Sequence, residues 1–172
     1  MTNADEPRVA GWNGRFFEDF RVGDRYRHPL GRTITVADNA WLTLLTMNTN
    51  PIHVDAHYAA QTEFGRPLVN SCLTLALVTG LSVDDVSRHA FANLGWDEVR
   101  LPAPVFEGDT IYAESVVLEA RPSASRPAVG LVRVRTRGFN QDGTVVIDFL
   151  RSVLVYRRGQ GPRGAPEADP GS

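Results

Sequence analysis

One segment constrains the fold of this chain more than any other. Residues 71–81 read SCLTLALVTGL and are apolar on nearly every side. A helix with no polar face is a buried helix. We therefore expect Ser71–Leu81 to form a central helix around which the rest of the chain folds. Cys72 has no neighbouring base in this segment and is expected to be an inert core residue.

The segments on either side of this helix differ in periodicity. Upstream, Thr35 and Asp38 form a capping pattern ahead of helically spaced apolar residues, and Asp55 is a good N-cap for a short helix beginning at Ala56. Downstream, the pattern alternates as in strands, which are predicted at 94–101, 110–120, 130–139 and 144–156, with a hairpin at 140–143. Strands this close in sequence pair antiparallel, so the predicted class is α+β, with an antiparallel sheet wrapped around one helix. Trp41 and Trp96 are expected to be packing residues.

Composition excludes several classes of function. All 18 basic residues are arginine, so chemistry that requires lysine is excluded. The net charge of −2 gives no electrostatic basis for nucleic-acid binding. The single cysteine cannot form an internal disulfide, and it rules out a zinc site built on several cysteines.

Length and hydropathy predict the compartment and the domain organisation. A chain of 172 residues forms one domain. It has no apolar run of the roughly 18 residues that a membrane helix needs, and its N-terminus lacks the pattern of a signal peptide. We therefore expect a soluble, cytoplasmic protein without a membrane partner. Residues 1–13 are expected to be flexible and the Gly- and Pro-rich residues 159–172 disordered, which leaves 14–158 as the folded body.

Two motifs at a characteristic separation carry a family resemblance. The first lies within residues 46–81 and comprises Asn48, Asn50, Pro51, Ile52, His53 and Asp55, followed by Phe64, Arg66, Pro67, Leu68 and Val69. The second is a turn formed by Pro104, Val105, Gly108 and Asp109. Together they resemble the signature of the MaoC-like dehydratases, which include the (R)-specific enoyl-CoA hydratases of the hot-dog superfamily. The resemblance covers about Phe16 to Tyr156.

The resemblance implies a fold, an activity and an assembly. The fold is a single hot-dog domain, and such domains usually pair into homodimers, or into homo-oligomers of dimers, with sites at the interface. The activity is that of a hydro-lyase acting on an acyl-CoA thioester, with no cofactor beyond the coenzyme A of the substrate. The stretch TMNTNPIH looks like the branch that handles mesaconyl-CoA, itaconyl-CoA or methylmalyl-CoA, so a short, branched or dicarboxylic enoyl-CoA is expected.

Two positions depart from the family pattern. Asn48 occupies the position of the family's catalytic Asp, five residues before the catalytic His, and Asn70-Ser71 replaces the His-Gly pair that opens the central helix. An Asn side chain cannot titrate and can only orient water or bond the substrate. Three alternatives remain: His53 moves the proton alone, another group assists it, or the activity is lost.

Hydration of an enoyl thioester requires proton transfer and stabilisation of an enolate oxygen. His53 suits the proton transfer, with Asn48 as its catalytic partner. By resemblance, the backbone amide of Ser71 is the oxyanion donor; alternatively, Ser71 simply caps its helix. The resemblance also assigns Asn50 and Thr79 to substrate binding, although the Thr79 hydroxyl is equally suited to bonding its own helix.

Several other interpretations compete with this one. The missing Asp leaves an acyl-CoA thioesterase, or a non-catalytic hot-dog partner that binds acyl-CoA, as alternative functions. The series His53, Asp55 and His57 suggests a metal site, but a helix cap at Asp55 would direct the two imidazoles apart, so no metal is assigned. The alternating series of Arg133, Arg135 and Arg137 is more simply a solvated strand face than a site for the phosphates of coenzyme A.

Overall fold

The computed structural model describes residues 14–162, and they form an antiparallel sheet with three helices. The strands are β1 (Arg25–Arg27), β2 (Arg32–Thr33), β3 (Ala90–Arg100), β4 (Thr110–Pro122), β5 (Val129–Phe139) and β6 (Val145–Tyr156). Their order is β1-β4-β5-β6-β3, and β2 also pairs with β4. The four long strands confirm the predicted ones to within a few residues. The short strands β1 and β2 were not predicted, because two or three residues carry no periodic signal.

The helices follow the capping signals in the sequence. They are α1 (Val36–Leu45), α2 (Ala56–Ala59) and α3 (Ser71–Leu81), and α3 begins and ends at the predicted residues. Thr35 and Asp38 form a reciprocal capping box at the start of α1, and the Asp55 carboxylate accepts from the Tyr58 amide at the start of α2. A π-helical turn, Val83–Ser87, continues α3 toward β3. The predicted caps of α1 and α2 are therefore confirmed.

The core consists of two hydrophobic clusters, and α3 packs against the sheet in one of them. Val78 of α3 packs in a cluster with Ile111, Ile147 and Phe149, which are at most 1% exposed. The helix can approach β5 closely because residue 138 is glycine: a Cβ there would lie 2.5 Å from Cγ2 of Val78. This arrangement confirms the prediction of an α+β fold in which an antiparallel sheet wraps a central helix.

The prediction that α3 is buried on all sides is wrong for a single chain. Only Thr74 and Val78 are fully buried, while Cys72, Ala76 and Gly80 are exposed along the opposite side. Cys72 is therefore not a core residue. The physical reason is that one sheet has only one concave face, so it can cover only one side of the helix.

Helix α1 is also amphipathic, but its polar side is buried and its apolar side is exposed. Its buried side chains are polar, Asn39 and Thr43, and both are fully buried. Its large apolar residues face outward, and Trp41, predicted to pack, is 68% exposed. Trp96 on β3 is 42% exposed, so it is also not a core residue. Apolar periodicity located both elements correctly but did not determine which side of each is covered within one chain.

A buried chain of hydrogen bonds joins the sheet to the π-helical turn. His28 Nδ1 lies 2.8 Å from Asp85 Oδ2, and its Nε2 lies 2.9 Å from Ser115 Oγ, which contacts Thr136. Burial raises the pKa of the Asp85 carboxyl, but hydrogen bonds from His28 and Arg15 outweigh it and hold that pKa below its ordinary value. Although the order Ser–His–Asp resembles a hydrolase triad, Ser115 is completely buried and no substrate can reach it.

The predicted flexibility of residues 1–13 lies outside the described residues, as does most of the tail predicted from 159 onward. Within residues 14–162, no helix is long and apolar enough to span a membrane.

Candidate functional site

The end of α1 directs the chain into the loop that carries the predicted catalytic residues. Met47 adopts a left-handed backbone conformation, φ 54°, and the Asn48 amide then donates to the Thr43 carbonyl at 3.0 Å. This is the hydrogen-bond pattern of a Schellman motif, here without the glycine that usually occupies the left-handed position. Asn48 is therefore fixed immediately beside the end of α1.

Two asparagines, Asn48 and Asn50, stabilise the loop that leads to His53. Asn48 Oδ1 accepts from the Asn50 amide at 3.0 Å, and Asn50 Oδ1 accepts from the Ile52 amide at 3.2 Å. Pro51 begins a 3-10 turn, Pro51–His53, at the position where its missing N–H costs nothing. Both side-chain oxygens are thus used by the loop itself. The donors that Asn48 and Asn50 retain are their Nδ2 groups.

The hydrogen bond of the His53 ring defines its tautomer. His53 is half-buried, and Nδ1 lies 3.0 Å from the carbonyl oxygen of Leu68. A carbonyl only accepts, so Nδ1 carries a proton. In the neutral ring, Nε2 is then the unprotonated nitrogen. This is the tautomer that a proton acceptor requires, and Leu68 maintains it.

The N-terminus of α3 supplies an unpaired backbone donor. Asn70, and not Ser71, is the N-cap: its Oδ1 accepts from the Cys72 amide at 2.9 Å. The alternative in which Ser71 caps its own helix is therefore wrong. Within residues 14–162 the Ser71 amide has no hydrogen-bond acceptor, and Ser71 is exposed. At the positive end of an 11-residue helix, this amide can donate to a developing oxyanion.

Asn39, which the sequence did not identify as a site residue, joins these parts. Asn39 Nδ2 lies 3.0 Å from the His53 carbonyl, 3.0 Å from the Leu68 carbonyl and 3.2 Å from Glu107 Oε1. Asn39 Oδ1 accepts from the Asn70 amide at 2.9 Å. The available signal was the pair Asn39 and Thr43, two poor helix formers one turn apart, opposite the apolar side of α1.

A cleft opens beside the N-terminus of α3. Its volume is about 280 Å³, and it is lined by Ser71 and Thr74 together with apolar residues: Phe64, Leu68, Val69 and the segment 101–105. His53 and Asn48 are not among the lining residues. His53 is next to the cleft through Leu68, which lines it and whose carbonyl binds the His53 ring.

The structure separates Thr79 from the other predicted site residues. Thr79 lies eight residues after Ser71 on α3, a distance of about 12 Å along the helix axis. Its hydroxyl accepts from Trp96 Nε1 at 3.2 Å. The hydroxyl therefore bonds β3 rather than its own helix, and the role of Thr79 in binding stays a prediction.

Two competing interpretations can be compared with the geometry. His53 lies in the 3-10 turn, Asp55 caps α2, and His57 lies in the first turn of α2. In the part of the chain that the structure describes, no three His, Cys, Asp or Glu side chains are grouped as metal ligands. Arg135 and Arg137 both pair with Asp148 on the outer face of the sheet, which agrees with a solvated ionic face.

The chain is similar in sequence and in fold to known proteins. A family model described as a MaoC like domain matches residues 18–137, which is more than half of the chain. The chain belongs to the MaoC-like family. The MaoC-like motifs Asn48–Asp55 and Pro104–Asp109 both fall within the matched region. A Mycobacterium tuberculosis protein whose structure is described as a double hot-dog gives a TM-score of 0.77 at 23% identity, which confirms the hot-dog fold.

Two of the curated MaoC-like relatives are much longer than this chain. A mesaconyl-CoA hydratase from Cereibacter sphaeroides is 38% identical over 84% of this chain, which covers 42% of that protein. A β-methylmalyl-CoA dehydratase from Chloroflexus aurantiacus is 36% identical over 84% of this chain, which covers 41% of that protein. The chain also covers 49% of the double hot-dog structure. It therefore spans less than half the length of these MaoC-like relatives.

Proposed function

We propose that this MaoC-like chain reversibly hydrates the double bond of a short enoyl-CoA. The observation that carries the proposal is that the carbonyl that binds the His53 ring, that of Leu68, lies only three residues before Ser71, the first residue of α3. The Leu68 carbonyl holds the His53 ring with Nε2 unprotonated, and directly after Asn70 the helix begins with an unpaired Ser71 amide. A proton acceptor and an oxyanion donor are the two functions that hydration of a thioester demands.

The reaction requires only one titratable group, the His53 imidazole. His53 Nε2 takes a proton from water while the water oxygen bonds the β-carbon. The π electrons of the carbon–carbon double bond move toward the thioester, and the negative charge on its oxygen is stabilised by the Ser71 amide. The enolate then takes the proton back from His53 Nε2 at the α-carbon. Water is added across the double bond, and no thioester bond is broken.

Asn48 serves this reaction by orientation only. Its Oδ1 already accepts a hydrogen bond from the Asn50 amide, and we assign its Nδ2 group as the donor that it presents. A donor at this position can hold the attacking water or a polar group of the substrate. Asn50 offers the same kind of donor, because its Oδ1 is used by Ile52. We assign Thr79 to a second point of substrate binding, farther along α3 from Ser71.

The substrate class that we propose is a branched or dicarboxylic enoyl-CoA of the mesaconyl, itaconyl or methylmalyl type. The names of the two curated relatives, a mesaconyl-CoA hydratase and a β-methylmalyl-CoA dehydratase, support this class at 38% and 36% identity. The mostly apolar lining of the cleft agrees with the branched hydrocarbon part of such an acyl group. Coenzyme A enters as part of the substrate, so the proposal includes no separate cofactor.

We further propose that the active form contains two hot-dog units, supplied by two copies of this chain. A cleft of about 280 Å³ is at the lower limit for a small-molecule site, which supports completion of the cleft by a second unit. Strand β3 is at the sheet edge, none of its residues is fully buried, and the exposed side of α3 consists of small residues. Analytical ultracentrifugation should give twice the mass of one chain, and Ala76→Arg should halve it. A single-chain mass for the wild type contradicts this proposal.

A matched pair of substrates tests the activity and the substrate class together. Mesaconyl-CoA and tiglyl-CoA share a branched double bond and differ by a carboxylate in place of a methyl group. We expect loss of the enoyl absorbance without release of free thiol, with mesaconyl-CoA preferred. His53→Ala should abolish turnover, and His57→Ala is the control, because His57 lies in α2 outside the site.

The outcomes separate the alternatives. Release of free thiol would identify a thioesterase. No turnover of either substrate, together with retained binding of the acyl-CoA, would identify a non-catalytic hot-dog partner, for which the loss of a titratable group at Asn48 is the physical reason. Full activity of His53→Ala would contradict the proposed mechanism.

A further inference from the structure

The carboxamide of Asn39 contacts both halves of the proposed site. It is completely buried on the inner side of α1. Its oxygen binds the amide of Asn70, the residue that caps α3 and precedes Ser71. Its nitrogen binds the carbonyls of His53 and Leu68. One planar group therefore connects the oxyanion donor with the proton acceptor.

The Leu68 carbonyl links Asn39 to the His53 imidazole. It accepts from Asn39 Nδ2 at 3.0 Å and from His53 Nδ1 at 3.0 Å. A carbonyl oxygen has two lone pairs, so both bonds can form together. The Asn39 amide thus orients the same oxygen that selects the His53 tautomer, and it also holds the His53 backbone.

Glu107 completes the set of acceptors around the Asn39 nitrogen. Its Oε1 lies 3.2 Å from Nδ2, so two N–H bonds are shared among three oxygens. Glu107 belongs to the turn that carries Gly108 and Asp109, the second family motif. The carboxamide therefore joins α1, the His53 loop, the start of α3 and this turn.

We propose that Asn39 is the positioning residue that sets the geometry between the His53 imidazole and the Ser71 amide. It touches neither substrate nor reacting atoms, and it acts through Leu68 and Asn70. A buried amide suits this role because its donors and its acceptor point in fixed, opposite directions, whereas an apolar contact constrains distance but not orientation. This inference rests on the proposed hydratase function.

The first test is Asn39→Ala in the full chain, with mesaconyl-CoA as the probe. A displacement of about 1 Å between reacting groups costs roughly 100-fold in rate, so kcat should fall by about that factor. KM should change much less, because Asn39 is completely buried and contributes no contact to substrate binding. Ser115→Ala is the matched control: it also removes two buried hydrogen bonds, to His28 and Thr136, but leaves kcat unchanged.

The second test reads the His53 ring directly and does not depend on turnover. Nitrogen-15 NMR of the four histidines, with His53 assigned by its loss in His53→Gln, reports which ring nitrogen carries the proton. The wild type and Ser115→Ala should show protonated Nδ1 in the neutral ring. Asn39→Ala should show a mixture of the two tautomers, because the Leu68 carbonyl is no longer oriented.

A second variant covers the case in which Asn39→Ala does not fold. Asn39→Asp has the same shape and keeps an acceptor for the Asn70 amide, but its carboxylate has no N–H to donate. It should show the same fall in kcat and the same mixture of tautomers. Unchanged kcat and an unchanged His53 tautomer in either folded variant would overturn the positioning role. A wild type with no hydratase activity would overturn the proposed function, while the NMR measurement would still decide the role of Asn39.

Discussion

Two regions of this molecule are held together by different forces. Between α3 and the sheet, the buried cluster consists of valine, isoleucine, alanine and phenylalanine, with partly buried leucines packed against it, and its contacts are apolar. Between α1 and the loops that carry His53 and Asn70, the buried side chains are Asn39 and Thr43, and the contacts are hydrogen bonds. The first region has a large apolar core, and the second has almost none.

The difference indicates that the two regions have different roles. Apolar burial is non-directional and contributes most of the folding free energy. Hydrogen bonds contribute less net free energy, but they determine the orientation of the groups that they join. The sheet and α3 therefore supply stability, whereas α1 supplies geometry to the loops around the cleft. The outward apolar side of α1, including Trp41 and Leu45, adds nothing to the stability of a single chain.

The largest expected effect on stability lies in the apolar region. Phe149 is 1% exposed in the cluster that contains Val78, so Phe149→Ala should lower the free energy of unfolding by about 3–5 kcal/mol, from lost burial and the cavity left behind. Denaturant unfolding followed by circular dichroism measures this change. Leu45→Ala is the control: Leu45 is 71% exposed, so its change should stay within about 0.5 kcal/mol. Similar losses in both variants would remove the distinction between the regions.

A smaller effect on stability and a larger one on activity are expected at Asn70. Asn70→Ala removes the cap of α3 and the contact with Thr43, which should cost about 0.5–2 kcal/mol. The start of α3 should then fray, so the Ser71 amide loses its fixed position and kcat for the enoyl-CoA should fall. Asp55→Ala removes the equivalent cap of α2 and is the control for stability. Two results would contradict the conclusion that these polar contacts orient the groups of the site. One is an Asn70→Ala enzyme with wild-type kcat, and the other is an equal fall in kcat in Asp55→Ala.

Local signals were enough to predict most of the regular structure. The capping box at Thr35, the cap at Asp55 and the bounds of Ser71–Leu81 all depend on residues within a few positions of one another. The four long strands were predicted for the same reason, since alternation is a local property. The alternative in which Ser71 caps α3 was wrong, because Asn70 and Ser71 are both good N-caps and the backbone decides between them.

The burial of whole faces could not be predicted in this way. Cys72 and Trp41 were expected to be buried because apolar residues usually are, yet both are exposed in a single chain. Asn39 received no role, because its partners His53, Leu68, Asn70 and Glu107 are 14 to 68 positions away in sequence. Contacts at that separation leave no periodic signal.

The sequence by itself determined the α+β class, the central helix and the family motifs around His53, because these follow from short-range periodicity, caps and spacing. Only the tertiary structure decided which nitrogen of His53 carries a proton, which amide of α3 is unpaired, and that Asn39 joins the two. Each of these depends on the direction of a hydrogen bond between distant segments, and that direction exists only once the sheet has brought the segments together.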